Sequence, residues 1–264
     1  MKRIVLYICL ALMLSACAAR NSAADFTLKE QEKAAEELVD RVTGGRAAEF
    51  SVVISPDKKD GKDWFSYHAE EGRVVLEGNN GVSVARALGH YLKTHCGWHL
   101  SWGGSQEVLP EVLPLPEEEY EVTSPYKYRY YLNYCTFNYS MSWWDFERWQ
   151  KEIDFMALNG INMPLALTGQ NSVWQRVYRR LGFTDKELEG FFSGPAYFNW
   201  FWMGNLDGWG GPLPQSFMDD HEKLQKQILH AERSLGMTPV LPAFTGHVPP
   251  TFEQKFPEAK VRKT

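Results

Sequence analysis

The 264-residue sequence has no excess of basic residues, few cysteines and no internal repeat. Its formal net charge of −5 offers no broad basic surface. This excludes nucleic acid as a partner, because such binding depends on lysine and arginine neutralising phosphates. Structural zinc needs four ligands, usually from two paired clusters, and His95, Cys96 and His99 have no second cluster to join. We therefore expect no metal site and interpret these three as packing residues near a helix end.

Residues typical of a catalytic centre are equally sparse. Glu152 and Asp154 fall on a predicted helix, where carboxylates usually face water, and no other pair is recognisable as an acid and a base. Gly208–Gly211 lacks the preceding strand and following helix of a phosphate-binding loop. Cys135 as a nucleophile would need a histidine and an orienting partner, and neither lies nearby in sequence. No cofactor is expected.

Aromatic side chains are what the sequence has in abundance. They make up 14% of the residues and include ten tryptophans, beside 44% hydrophobic and 23% charged residues. This composition is that of a globular protein rather than a disordered tail. The length fits one large domain or two smaller ones, since domains usually run to about 100–200 residues.

The first 17 residues read as an export signal. Lys2 and Arg3 precede an apolar run, Ile4–Met13, which is shorter than the roughly 20 residues of a spanning helix. Leu14–Cys17 resembles the bacterial lipobox, in which the cysteine becomes the lipid-modified first residue. Residues 1–17 therefore predict an exported protein, anchored by Cys17 to a bacterial membrane at the outer membrane or cell surface. The alternative is an ordinary cleaved signal with an incidental cysteine.

Two cysteines remain in the predicted mature chain, because Cys9 would leave with the signal and Cys17 would carry lipid. Cys96 and Cys135 could pair in an oxidising compartment. Apolar-flanked cysteines are also commonly free and buried, and the sequence leaves both alternatives open.

The first part of the mature chain predicts an α+β domain over residues 25–118. The predicted elements are a helix from Leu28 ended by Gly44–Gly45, strands at Phe50–Ile54 and Val74–Leu76, and a helix from Val84 towards Cys96. Leu109–Tyr126 then contains four prolines and a run of glutamates, a composition typical of a stiff, solvated linker.

The second part, residues 124–264, predicts parallel α/β structure. Strands are expected at Tyr128–Tyr134, Met163–Leu167 and Val240–Phe244, with helices between them. The first of these helices has a capping-box pattern, with Ser142 as the cap and Asp145 three residues on. Pro164 cannot donate a ladder hydrogen bond and is expected at the first position of its strand.

A long aromatic loop, Gly194–Ser216, interrupts this domain. Loops of this length are commonly functional, and in a barrel the loops after the strands build the active site. Trp200, Trp202 and Trp209 would suit a sugar site, because sugars present flat C–H faces to aromatic rings. Without further information each tryptophan is more often core. His247 is a candidate site residue or a structural histidine.

Three aromatic strings carry a family resemblance: Tyr130–Ser140, Trp143–Gly160 and Phe191–Pro214. With Gly236–Pro249 they make the chain similar to the α-N-acetylglucosaminidase family of glycoside hydrolases. The resemblance implies an α/β fold, in which a small α+β N-terminal domain precedes the first part of a (β/α)8 TIM barrel, here truncated.

The resemblance also implies a reaction, the exo-hydrolysis of terminal α-linked N-acetylglucosamine from glycans with retention. Matched residue by residue, Asn133 and Cys135 end the first barrel strand and contact the sugar, and Trp200 and Met203 contact it from the long loop. Such enzymes use two carboxyl groups, here two glutamates on later strands. Their motifs do not occur before Thr264, so no catalytic residue is assigned and the chain is expected to be inactive. The alternative is a non-catalytic, glycan-binding surface lipoprotein.

Overall fold

Residues 26–262 are described by a computed structural model of the chain. The predicted signal peptide and Cys17 lie outside these residues. Within the described part of the chain, no helix is both long and apolar enough to cross a membrane.

Helix α1, Leu28–Thr43, opens the N-terminal unit as predicted. Thr27 and Glu30 form a capping box at its start, which satisfies backbone donors that have no partner inside the helix. Gly44 ends the helix with a φ of 66°, a left-handed conformation that glycine adopts at little cost. Its buried face packs against the sheet that follows.

That sheet has four strands, of which two were predicted. They are β1, Phe50–Ile54; β2, Trp64–Glu70; β3, Arg73–Gly78; and β6, Tyr120–Thr123, with the short hairpin β4, His99–Ser101, and β5, Gly104–Gln106, outside it. The order is β1-β3-β2-β6, with β1 parallel to β3 and the other pairs antiparallel. The prediction of an α+β unit is confirmed.

Strand β6 lies in the segment predicted to be a linker. It pairs with β2 in the register Tyr67 to Tyr120, so the N-terminal sheet continues past the predicted range 25–118. The prediction of a linker therefore fails for the end of the segment, which contains β6.

Helix α2, Gly81–His95, joins the two units of the fold. Asn80 caps it by accepting a hydrogen bond from the Ser83 backbone. At Gly89 an added Cβ would lie 2.6 Å from the carbonyl oxygen of Leu158 on a helix of the second unit. Only glycine allows this close approach, which packs α2 directly against that helix.

The second unit begins with the first strands of a barrel. Its elements are β7, Tyr130–Tyr131; α3, Tyr134–Thr136, continued by a π-helix over Phe137–Met141; α4, Phe146–Leu158; β8, Met163–Pro164; α5, Gln170–Arg180; α6, Asp185–Glu189; α7, Phe198–Trp202; α8, Gln215–Ser234; and α9, Phe252–Lys255. Strands β7 and β8 are parallel, and Leu165 pairs with Val240 in a further parallel bridge. Across residues 26–262 these strands do not close into a barrel. The α/β fold class is confirmed.

Three local predictions for this unit were wrong: the cap of α4, the length of the third strand and the position of Pro164. Helix α4 is capped by Asp145, which accepts from the Arg148 backbone, while the Ser142 hydroxyl donates to the Phe137 carbonyl. The third strand pairs only at Val240, and Leu241 is already 52% exposed.

Pro164 is the second residue of its strand rather than the first. The pairing with β7 does not need its missing donor, because Met163 donates to Arg129, just before β7, and Leu165 donates to Tyr131. The carbonyl of Pro164 accepts from Val240 on the other side. Proline therefore fits inside this strand without an unmade bond to β7.

Candidate functional site

An open pocket of about 720 Å³ lies where the first barrel strand ends. Its lining residues are Trp102, Tyr130, Tyr131, Leu132, Asn133, Tyr134, Cys135, Thr136 and Met203. The carboxyl end of barrel strands is where enzymes of this architecture place their substrates. This pocket is therefore the candidate site.

Asn133 shapes the chain where β7 leaves the sheet. Its side-chain carbonyl accepts a hydrogen bond from the Cys135 backbone at 2.7 Å, and this cap starts α3. The Thr136 hydroxyl donates to the Asn133 backbone carbonyl at 2.6 Å. Asn133 is exposed, and its amide NH2 donates to no described residue. A hydrogen-bond donor is therefore held at the mouth of the pocket by a rigid turn.

Cys135 follows Asn133 in the lining, with a half-buried free thiol. Cys96 is also free and half-buried, so of the two alternatives for these cysteines the unpaired one is observed. Burial raises the pKa of the Cys96 thiol.

The long aromatic loop reaches the pocket through helix α7. Asn199, which is fully buried, donates from its side chain to the Tyr134 carbonyl at 2.7 Å and from its backbone to the Asn138 side chain at 2.8 Å. These two bonds fix α7 on the segment that follows β7. They bring Met203, at the end of α7, into the lining.

The three tryptophans of the loop have three different surroundings. Trp202 is a core residue, only 2% exposed. Its ring is edge-on to that of Trp174, with the two ring centroids 4.5 Å apart. Trp209 is exposed. Trp200 is half-buried, with its ring against Tyr139, and is not part of the lining. The structure thus brings Asn133, Cys135 and Met203 together and leaves Trp200 outside the lining.

Glu152 and Asp154 do not face water, contrary to prediction. Glu152 is 1% exposed and accepts from the Trp102 indole, the Tyr131 hydroxyl and the Arg148 guanidinium. Asp154 accepts two bonds from Arg41 of α1. The N-terminal unit covers this face of α4, and its side chains supply partners that are remote in sequence.

Six of the nine lining residues were not singled out from the sequence, among them Trp102 and Tyr131. Trp102 comes from the N-terminal hairpin, and the signal that could have found it is the tryptophan-rich stretch after α2. Burial raises the pKa of Tyr131, and the neighbouring Glu152 carboxylate raises it further. The Tyr131 hydroxyl therefore stays protonated and is the donor in the hydrogen bond to Glu152.

The remaining candidates lie outside the lining. The Nε2 atom of His247 is 2.5 Å from a carboxylate oxygen of Asp207, and its ring packs on Phe191 and Phe201. These contacts are those of a structural histidine. Through them His247 connects the long loop to the segment after Val240. His95 packs edge-on to Tyr67 near the end of α2, as interpreted, whereas His99 is exposed on β4 and is not a packing residue. Among residues 26–262 no three potential metal ligands come together.

Comparisons with known proteins match both units. Residues 33–115 match the alpha-N-acetylglucosaminidase (NAGLU) N-terminal domain, and residues 129–264 match the NAGLU tim-barrel domain. Human alpha-N-acetylglucosaminidase is 48% identical over 230 residues, which are 86% of this chain and 31% of the human protein.

Two solved structures of a family 89 glycoside hydrolase from Clostridium perfringens have the same fold, each with a TM-score of 0.83. One is in complex with PUGNAc, at 37% identity, and the other with its substrate GlcNAc-alpha-1,4-galactose, at 36% identity. Each alignment covers 88% of this chain and 26% of the bacterial one. The chain thus spans about a third of the human relative and about a quarter of the bacterial one. With both domain matches in chain order, it belongs to the alpha-N-acetylglucosaminidase (NAGLU) family.

Proposed function

We propose that this chain forms the front part of an exo-acting glycoside hydrolase that removes terminal α-linked N-acetylglucosamine with retention. The observation that carries the proposal is the pocket at the end of β7, which is lined by Asn133, Cys135 and Met203. These are three of the four residues that the family resemblance assigns to sugar contact. The substrate named for the Clostridium perfringens relative, GlcNAc-alpha-1,4-galactose, supports a terminal α-linked sugar as the ligand.

The chemistry of the lining suits a sugar. Aromatic rings such as Trp102 and Tyr130 offer apolar faces to its C–H groups, and the Asn133 amide offers a polar donor. Retaining hydrolysis further needs two carboxyl groups about 5–5.5 Å apart. The lining within residues 26–262 contains no carboxylate. We propose that sequence beyond residue 264 supplies both.

Hydrolysis of an aryl α-N-acetylglucosaminide tests this proposal, measured for residues 18–264 and for a protein extended in frame past Thr264. We expect activity in the extended protein alone, because only that protein would hold the carboxyl pair. Asn133→Ala in the extended protein should lower kcat/KM about tenfold, the equivalent of about one lost hydrogen bond. The aryl β-anomer is the control substrate and should not be cleaved.

Two results would contradict the proposal in different ways. Activity of residues 18–264 alone would place the catalytic groups within this chain. Inactivity of both proteins towards the α-anomer would remove the hydrolase function and leave glycan binding to be measured directly.

We also propose that the protein is exported and attached to a bacterial membrane by lipid on Cys17. Several acyl chains hold a protein stably, whereas a single chain binds only reversibly. Expressed in a bacterium fed labelled palmitate, the chain should carry label and sediment with membranes. Cys17→Ser should abolish both, while Cys9→Ser is the matched control, because Cys9 would leave with the signal. Label on the Cys17→Ser variant would contradict the anchor.

A further inference from the structure

A tryptophan at the tip of a hairpin in the N-terminal unit reaches the pocket of the barrel unit. Strands β4 and β5 pair so closely that Ser101 faces Gly104, with Trp102 and Gly103 as the turn. Trp102 is 49% exposed. It shares the pocket lining with Asn133 and Cys135. Trp102 therefore contributes to the wall of the candidate site.

The orientation of this ring is fixed by a buried carboxylate. The Trp102 indole N–H donates to Glu152 at 3.1 Å, and the Tyr131 hydroxyl donates to the same oxygen at 3.0 Å. Arg148 donates to the other oxygen at 3.2 Å. A carboxylate that is 1% exposed needs such partners, since an unpaired buried charge is strongly unfavourable. Glu152 thus holds Trp102 and Tyr131, which both line the pocket.

Other side chains support Trp102 away from the pocket. The Trp144 ring lies 5.7 Å from it between centroids, and the Arg148 guanidinium lies 3.8 Å above Trp144 and 5.8 Å from Trp102. Cation–π contact and aromatic packing of this kind stabilise one arrangement of the rings. The ring is therefore held in place before any ligand arrives.

We propose that Trp102 is a substrate-contacting residue, whose indole packs against the apolar face of a pyranose ring bound at Asn133 and Cys135. The N-terminal unit would then contribute directly to the sugar site of the barrel. This inference rests on the proposed function, and it predicts which hexopyranosides bind. Sugars with a continuous C–H face towards the indole should bind best.

Binding of methyl α-N-acetylglucosaminide to the extended protein and to the 264-residue chain tests the role of Trp102. We expect Trp102→Ala to raise the Kd about tenfold and Trp102→Phe about threefold, since the smaller ring keeps part of the contact. In the extended protein the loss should appear in KM more than in kcat. Ligand should also change the tryptophan fluorescence of the wild type, and this change should be smaller in Trp102→Phe, because the resemblance also assigns Trp200 to sugar contact.

Trp143→Ala and Trp143→Phe are the matched controls. Trp143 is 72% exposed, packs on Phe217 and lies outside the pocket lining. Its variants should keep wild-type affinity and the fluorescence change. The circular dichroism spectrum of Trp102→Phe should match that of the wild type. Its loss of affinity would then not come from misfolding.

The outcomes separate this inference from the function on which it rests. Binding by the wild type with unchanged affinity in Trp102→Ala would overturn the role of Trp102 and leave the hydrolase proposal standing. No binding of the glycoside by either wild-type protein would overturn the proposed function, and the role of Trp102 with it.

Discussion

Replacing Asp63 with alanine is expected to lower the free energy of unfolding by about 3–5 kcal/mol, the usual cost of removing one partner from a buried ion pair. Asp63 is 5% exposed, and one of its carboxylate oxygens accepts from Arg129 at 2.5 Å and from Asn162 at 3.1 Å. The Arg129 side chain is itself only 17% exposed. Without Asp63 its charge would be left nearly buried and unpaired.

Because Asp63 contacts both units, its removal should destabilise both of them. Asp63 precedes β2 of the N-terminal sheet, whereas Arg129 and Asn162 precede β7 and β8 of the barrel sheet. Its second oxygen accepts from Asn79 and Asn80, which lead into α2. One carboxylate therefore connects both sheets. In the Asp63→Ala variant, the unfolding of the two units should be less cooperative.

The Asp63 effect should depend on pH in a defined direction. Burial opposes ionisation, but the hydrogen bonds from Arg129 and Asn79 outweigh it and hold the pKa of Asp63 below its usual value. The unfolded chain takes up its proton at a pH of about 3.9. The stability from Asp63 is thus fully present above that pH and is lost as the pH falls through the lower, folded pKa.

Urea unfolding at pH 7 and near pH 3 measures both parts of this prediction. The gap between wild type and Asp63→Ala should be large at pH 7 and smaller near pH 3. Asp57→Ala is the control, because Asp57 is exposed and should change stability by less than about 0.5 kcal/mol. An Asp63→Ala variant no less stable than Asp57→Ala would show that Arg129 finds another partner.

Elements with a local cause were predictable from the sequence. Helix α1 has its apolar spacing, its capping box and its terminal glycine within a single stretch of chain. Strand β1 has apolar residues at every second position, Phe50, Val52 and Ile54, and Met163 begins a buried strand between two helices. Aromatic strings long enough to identify the family also gave the order of the two units.

Elements that depend on distant partners were not predictable. The first four residues of β2 are all buried, so the strand shows no alternation to read. β6 is a strand only because β2 lies beside it, with Tyr67 opposite Tyr120. Glu152 accepts from Trp102, 50 residues away, and Asp154 accepts from Arg41, 113 residues away, whereas the local helical pattern predicts that both carboxylates face water.

The candidate site divides in the same way. Asn133 and Cys135 were assigned only through the family resemblance, which places them at the end of the first barrel strand. Trp102 could not be assigned, because nothing near it in sequence indicates that α4 will present Glu152 to its indole. Trp200 and Trp202 are two residues apart, and only the docking of α7 through Asn199 decides which one is core.

Glu232 is a carboxyl group whose removal should stabilise the protein. It is 0% exposed near the end of α8, and neither of its oxygens accepts a hydrogen bond from any described residue. Burial raises the pKa of Glu232 well above its usual value, against the opposing effect of the Arg233 charge. A negative charge near a helix C-terminus is also unfavourable, because it faces the negative end of the helix dipole.

The sign of the pH dependence follows from this raised pKa. An unfolded glutamate loses its proton at a pH of about 4.3, whereas the folded one keeps its proton to higher pH. Because the folded state then binds more protons than the unfolded state, stability falls as the pH rises above about 4.3, until the folded pKa is passed. The part of the cost of Glu232 that comes from its charge is therefore small at pH 4 and largest at alkaline pH.

Glu232→Gln and Glu232→Met should consequently raise the melting temperature at pH 8, and Glu232→Met should do so more. Glutamine removes the charge but stays a buried polar group without a partner, at a cost of about 1–3 kcal/mol, and methionine removes that cost as well. At about 2–4 °C for each kcal/mol, the gain for methionine should reach about 4 °C or more. Thermal melts at pH 4 and pH 8 measure it, with Glu36→Gln on the exposed face of α1 as the control that should change neither. A lower melting temperature of Glu232→Met at pH 8 would mean that the carboxylate is ionised and paired, since only a favourable partner makes a buried charge stabilising.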